Sequence, residues 1–255
     1  MKILAVGDVI GKPGRQALAR FLPVLKEQYG VDLTIVNAEN SAGGIGVMPD
    51  TAADLLKAGA DVLTSGNHVW AHKEIYPVLD SDTPLIRPLN YPPGVPGRGY
   101  LLAKGALVVN LIGRTFMGNY DCPFRAMDTL LSDLITKPPV TIVDFHAEAT
   151  SEKVALGMYL DGRVSAVLGT HTHVGTIDSR VLPGGTAYVT DIGMTGPIDS
   201  IIGDEPDEVL KRFLTQLPHR LSAGKGRCVF NAIIVTVDDT TGKATRIERI
   251  QRETD

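Results

Sequence analysis

Short unbroken runs of Val, Ile, Leu and Ala, alternating with segments of helical spacing, constrain this chain more than any other feature. A strand without polar alternation is covered on both faces, as the parallel strands of an α/β protein are. The runs are Lys2 to Val6, Leu33 to Val36, Asp61 to Thr64, Ala106 to Ile112, Val140 to Phe145, Val164 to Leu168, Ala187 to Thr190 and Val229 to Val237. Ala244 to Ile250 alternates instead and follows Asp239-Thr240-Thr241-Gly242, so the chain is expected to close with an antiparallel pair. Helices are expected at Pro13 to Gln28, Pro49 to Ala58, Pro123 to Ile135, Ser151 to Leu160 and Glu205 to Leu217, several opening on proline, whose missing N–H is harmless in a first turn. Arg87 to Gly99, rich in Pro and Gly, is expected to be a surface loop. Residues 1–255 read as one domain.

Composition narrows the function. A net charge of -4 argues against tight binding to long nucleic acid, so RNA is not a favoured partner. Cys122 and Cys228 stand far apart in no ligand spacing, which supports neither a disulfide framework nor a zinc-thiolate site. The apolar N-terminal run stops at Asp8, too short for a signal peptide, and no span long enough for a membrane follows; a cytoplasmic protein is expected, with no membrane partner. An oligomer is compatible with the sequence.

Five of the apolar runs end within a few residues in side chains suited to metal binding: Asp8, then Glu39 and Asn40, then Asn67 and His68, then His146, then His171 and His173. Ligands of α/β sheets bind outside the carboxyl ends of the strands, so neighbouring parallel strands would bring these clusters together. One Asp after a strand is usually a turn or cap, and one His is usually structural. Caps do not explain why four of the six histidines stand at strand ends beside carboxylates and carboxamides. His171 and His173, two apart in an expected extended segment, would point to one side and reach two adjacent ions, with Glu39 as the natural bridge. Oxygen and imidazole donors without thiolate suit iron, manganese or zinc.

Three other readings fit less well. Gly7 to Lys12 is one residue short of a phosphate-binding loop and has Pro13 where a hydroxyl is needed. No Gly-x-Gly-x-x-Gly follows the first strand. A metal-dependent amidohydrolase usually has His-x-His on its first strand, where this chain has Asp8 alone.

The order Gly7-Asp8, Asn37-Ala38-Glu39-Asn40, Gly66-Asn67-His68, His146 and Gly169-Thr170-His171-Thr172-His173 resembles the calcineurin-like metallophosphoesterases. The YmdB-like branch is the closer likeness, through Gly7-Asp8-Val9-Ile10-Gly11, Thr64-Ser65-Gly66-Asn67-His68, Asp121-Cys122-Pro123-Phe124 and Asp191-Ile192-Gly193-Met194-Thr195-Gly196-Pro197. The resemblance implies a four-layered αββα sandwich with two mixed β-sheets and a dinuclear centre at one sheet edge. It implies two divalent or trivalent transition-metal ions, commonly iron. One would take Asp8, Glu39, Asn40 and His173, and the other Glu39, Asn67, His146 and His171, with His68 as proton donor to the leaving oxygen. The chain departs from the wider superfamily in two places. Asp8-Val9-Ile10 lacks the usual imidazole, leaving Asn40 to fill that position, and Val69 replaces the acidic residue that usually orients the histidine, leaving Glu148 as the candidate partner of His68.

Two adjacent cations would clamp phosphate oxygens, acidify a water and stabilise charge growing on phosphorus. The branch implies a phosphodiesterase acting on 2',3'-cyclic or 3',5'-cyclic nucleotides through metal-activated hydroxide. The alternatives are a phosphomonoesterase and a metal-holding regulatory or RNA-binding protein with incidental hydrolysis. Arg114 is a candidate phosphate contact, and the loops Gly193 to Pro197 and Arg87 to Gly99 are candidate pocket walls. Basic residues at Lys225 to Arg227 and Lys243 to Arg252 read as solvated charge.

Overall fold

The computed structural model describes every residue from Met1 to Asp255. The strands of the first sheet are β1 (Lys2–Val6), β2 (Leu33–Asn37), β3 (Val62–Thr64), β10 (Gly196–Pro197), β11 (Cys228–Val237) and β12 (Ala244–Glu253). β1, β2 and β3 run parallel, β11 lies antiparallel to β1, and β12 closes the far edge against β11. The second sheet has the order β4 (Tyr100–Ala103), β5 (Ala106–Ile112), β6 (Val140–His146), β7 (Ala166–Thr170), β9 (Ala187–Val189) and β8 (Arg180–Val181). Its four central strands are parallel and its two edges antiparallel. Both sheets are therefore mixed.

Three apolar layers hold the sheets. Between them, Ile3, Ala5, Leu33 and Ile35 of the first pack against Val108, Ile142, Ala166 and Leu168 of the second. The alternate residues Leu4, Val6, Val36 and Leu63 meet Leu18, Leu22 and Leu25 of α1 (Gly11–Tyr29) and Ala52 and Leu55 of α2 (Pro49–Lys57). On the far side Val109, Leu111, Val143 and Phe145 meet Met127, Leu130 and Leu131 of α4 (Pro123–Asp133) and Leu156 of α5 (Thr150–Tyr159). The result is the αββα sandwich. It explains why the central strands read as continuous apolar runs, since both faces of each sheet are covered. Truncating a buried anchor of this packing, such as Leu22 to Ala, costs about 2–5 kcal/mol. The long first helix ends where Gly30 takes a left-handed conformation, φ 62°, and returns its N–H to Glu27.

The expected strands and helices are all present, with ends shifted by up to three residues. The added elements are short or exposed: β4, β8, β10 and α3 (Tyr76–Leu79). β4 is an edge strand with alternating exposure, joined to β5 through Lys104 and Gly105 at positive φ. The stretch from Arg87 to Gly99 forms no regular element, yet it is not wholly on the surface. Arg87, Pro88 and Asn90 are buried, Arg87 bonding the carbonyls of Pro88 and Pro96 and Asn90 donating to that of Ile112. The last helix, α6 (Pro206–Thr215), buries only Val209.

Candidate metal centre

The strand-end residues converge where the carboxyl ends of the two sheets meet. β1, β2 and β3 deliver Asp8, Glu39, Asn40 and Asn67; β6 and β7 deliver His146, His171 and His173. Glu39 Oε1 lies 3.1 Å from His146 Nε2, which is also 3.0 Å from Asn67 Oδ1 and 3.0 Å from His171 Nδ1. On the other flank His173 Nε2 is 3.8 Å from Asp8 Oδ1 and 3.0 Å from the amide nitrogen of Asn40. Donors about 2.1 Å from one ion, at right angles to each other, stand roughly 3 Å apart, so the spacing around His146 fits a shared cation.

Two further observations fit metal. Asp8 Oδ1 and both carboxylate oxygens of Glu39 are buried and accept no hydrogen bond. Burial pushes the Glu39 carboxyl up to about 7 and raises that of Asp8, so each lacks the positive partner a buried carboxylate needs. The imidazoles are oriented for the same purpose. Thr170 Oγ1 donates to Asp144 Oδ1 at 2.7 Å, which leaves it to accept from His146 Nδ1 at 3.1 Å. His171 Nε2 faces Glu148 Oε2 at 3.1 Å, and His173 Nδ1 donates to the carbonyl of Ile202 at 2.6 Å. Each ring thus gives one nitrogen to an oxygen acceptor and turns the lone pair of the other inward, the arrangement of metal-ligating histidines. Burial depresses His146 to about 3 and His171 to about 2, so both rings are neutral near pH 7.

The backbone is shaped to the cluster. A Cβ on Gly66 would meet Glu39 Oε2 at 1.8 Å and His146 Cδ2 at 2.2 Å, so only glycine lets the chain leaving β3 pass beneath the site. His171 and His173 do not lie in an extended segment. Both have left-handed backbone, φ 99° and 66°, because the chain turns sharply after Thr170. Asp8 Oδ2 accepts from the His171 N–H at 3.1 Å, and Asp191 takes both the N–H and the hydroxyl of Thr172. Asp191 is itself held by a buried ion pair with Lys153 at 2.7 Å. These contacts stabilise a conformation that is costly for residues with a side chain.

Three expectations are corrected. Glu148 pairs with His171 rather than His68, because it follows His146 on β6 and so faces the second sheet's histidines. His68, 37% exposed, instead has Asn67 Nδ2 at 3.2 Å and Glu39 Oε1 at 3.9 Å from its Nε2. Arg114 lines a separate cavity with Tyr120, Cys122 and Arg125, and its backbone N–H is tied to Glu152. Neither Arg87 to Gly99 nor Gly193 to Pro197 lines the cavity over the centre. The second loop supports the site from below, Thr195 donating to the Asp8 carbonyl at 2.8 Å. Sequence reasoning missed Asp144 and gave no role to Thr170 and Asp191, which sit inside or just after strands and whose role exists only through their partners. It also missed His72, Arg212, His219 and Arg220, brought to the cavity by loops and by α6.

The fold superposes on the crystal structure of a protein from Thermus thermophilus with a TM-score of 0.94, 46% identity and full coverage of both chains. It superposes on a phosphatase from Mycoplasma pneumoniae with a TM-score of 0.93 and 35% identity, covering 99% of this chain and 93% of that one. The 2',3'-cyclic-nucleotide 2'-phosphodiesterase of Bacillus subtilis (strain 168) is 48% identical over 254 residues, 98% of this chain and 96% of the relative. Fold, donor set and relatives define the class, a phosphoric ester hydrolase. Residues 4–250 match the YmdB-like protein family, and the chain belongs to it.

Proposed function

We propose that this chain is a dinuclear-metal phosphodiesterase that opens nucleoside cyclic phosphates, 2',3'-cyclic ones first. The observation that carries the reading is the pairing of orphaned, buried carboxylate oxygens on Asp8 and Glu39 with three imidazoles whose lone pairs face them. Asp8, Glu39, Asn40 and His173 would hold one ion, and Glu39, Asn67, His146 and His171 the other, with Glu39 common to both. The donor set contains no thiolate, which suits iron, with manganese or zinc able to substitute. Bound there, the ions would neutralise the phosphate and acidify a water.

The chain's own residues supply the rest. Asp144 and Glu148 keep His146 and His171 in the tautomer that turns a lone pair inward. His68 is the half-open imidazole of the set, placed beside Asn67 at the cavity floor, and it would hold the proton that passes to the departing alkoxide. The cyclic-nucleotide substrate is supported by the Bacillus subtilis relative.

Metal analysis of freshly purified protein, paired with turnover of 2',3'-cyclic, 3',5'-cyclic and linear diesters, tests this. About two transition-metal ions per chain and fastest opening of a 2',3'-cyclic nucleotide are expected. Metal-loaded protein that hydrolyses only monoesters, or nothing, would overturn the reading. No helix is long and apolar enough to cross a membrane.

A further inference from the structure

The cavity over the centre, of about 710 Å³, is much larger than one phosphate needs and has two chemically distinct ends. Its floor is the carboxylate and imidazole cluster. Its outer wall comes from Asp204 just before α6, Arg212 of α6, and His219 and Arg220 of the segment after it. Arg15, Arg163 and Arg246 pair with carboxylates and Arg87, Arg98 and Arg249 bond backbone carbonyls, while the unpartnered guanidiniums of Arg114, Arg125 and Arg180 do not line this cavity. Arg212 and Arg220 have neither kind of partner. Of the carboxylates lining the cavity, Glu39 belongs to the centre and Glu148 to His171, which leaves Asp204, with Glu208 one helical turn before Arg212 just outside the lining.

The backbone on either side of this wall is tied to the fold. Ser222 donates its N–H and hydroxyl to Glu208 Oε2, at 2.7 and 2.9 Å, which ties the return segment to α6 beside both arginines. Asp204 bridges to Ala223, and the Ile202 carbonyl holds His173. The two guanidiniums are exposed to solvent, and the segment that carries them is tied to the fold through Ser222 and Ala223.

We propose that Arg212 and Arg220 bind a second phosphate of the substrate, so that the preferred substrate is a nucleoside cyclic phosphate bearing a further phosphate elsewhere on the same molecule. This rests on the phosphodiesterase reading above. The floor takes the diester being opened, and a forked guanidinium matches the geometry of another phosphate. A neutral nucleoside portion would leave both charges idle.

The test compares kcat/KM for adenosine 2',3'-cyclic phosphate with that for the same compound carrying a 5'-phosphate. The wild type is expected to favour the substrate with the second phosphate about tenfold, the worth of one charge-assisted hydrogen bond, mainly through KM. Added salt should shrink that preference. In R212A/R220A the ratio between the substrates should fall to about one, and R212K/R220K should restore part of it. A wild type that turns over both equally, or a double Ala variant that keeps the preference, overturns the proposal. Failure to open either nucleotide overturns the phosphodiesterase reading and this one with it.

Discussion

The first sheet brings oxygen donors to the centre and the second brings imidazoles, and the two sets are held in different ways. Asp8 Oδ1 and both carboxylate oxygens of Glu39 are buried and bond to nothing, and burial raises both carboxyls. His146, His171 and His173 each have a partner on the nitrogen facing away from the cluster. The imidazole side is set before any ion arrives, whereas the oxygen side is left without a compensating charge. A cation is what would join them, and Asp144 is what already does. From β6 it accepts from Asn37 of β2 at 3.0 Å and from Thr64 of β3, and it takes the hydroxyl of Thr170 on its own sheet.

Removing the shared carboxylate erases the distinction between the sides, and it has the largest expected effect. Glu39→Gln keeps the shape and withdraws the charge common to both proposed ions. Activity should fall about 10³-fold or more, in line with the loss of several kcal/mol of transition-state stabilisation. Metal content should drop below one ion per chain. Near-normal turnover in a variant still holding two ions would remove Glu39 from the mechanism.

Asp144 tests the opposite property, the prior setting of the imidazoles. In Asp144→Asn the new NH₂ must face either the Thr170 hydroxyl or the donors Asn37 and Thr64, so one hydrogen bond becomes a clash of donors. With the NH₂ toward Thr170, His146 loses the acceptor chain that fixes its tautomer; with it toward Asn37 and Thr64, the strand end that carries the chain is disturbed. Metal affinity is expected to weaken about 10- to 100-fold, the usual effect of removing an outer-shell partner. Circular dichroism checks that the sheets survive. Affinity equal to wild type would mean that Asp144 serves only to join the sheets.

The two sides also answer pH in opposite senses. In the metal-free protein, burial lifts Glu39 from its ordinary 4.5 to about 7. Its contribution to stability is full below about pH 4.5 and lost as pH rises through 7. Burial lowers His146 from 6.5 to about 3, so its contribution is present above about pH 6.5 and lost as pH falls toward 3. Ion binding at pH 6 should therefore release protons from the oxygen side and almost none from His146 and His171. Calorimetric titration in buffers of different ionisation enthalpy reads that number. Release of about one proton or more at pH 6, fading by pH 8, is expected. The reverse trend would mean that the imidazoles carry the protons.

What could be read from the sequence follows the same division. The apolar runs announced the buried strands, and the polar residues ending them announced the cluster, because both signals lie within a few consecutive residues. Glu39, Asn67 and His146 needed only the rule that strand ends converge. The supports could not be read in this way. Asp144 sits mid-strand among apolar residues and means nothing until Asn37, Thr64 and Thr170 are seen around it. The left-handed turn at His171 and His173 depends on Asp191, 19 residues beyond Thr172 along the chain. Arg212 and Arg220 belong to a weakly buried helix and the loop after it, segments whose approach to the site is set by tertiary contacts alone.

The smallest expected effect concerns Glu148, the one partner that reaches these imidazoles through a solvent-open side chain. Its side chain is 48% exposed, against complete burial of His146. In Glu148→Gln the amide oxygen can still accept from His171 Nε2, so orientation survives and only charge is lost. Water screens that charge, and an exposed pair is worth about 0–1 kcal/mol. Turnover should fall no more than about fivefold, with metal content unchanged. Glu148→Ala, which frees the ring to turn, should cost more than Gln. If the Gln and Ala variants fall equally far, charge rather than orientation is what Glu148 gives His171. The imidazole side would then depend on electrostatics as the oxygen side does.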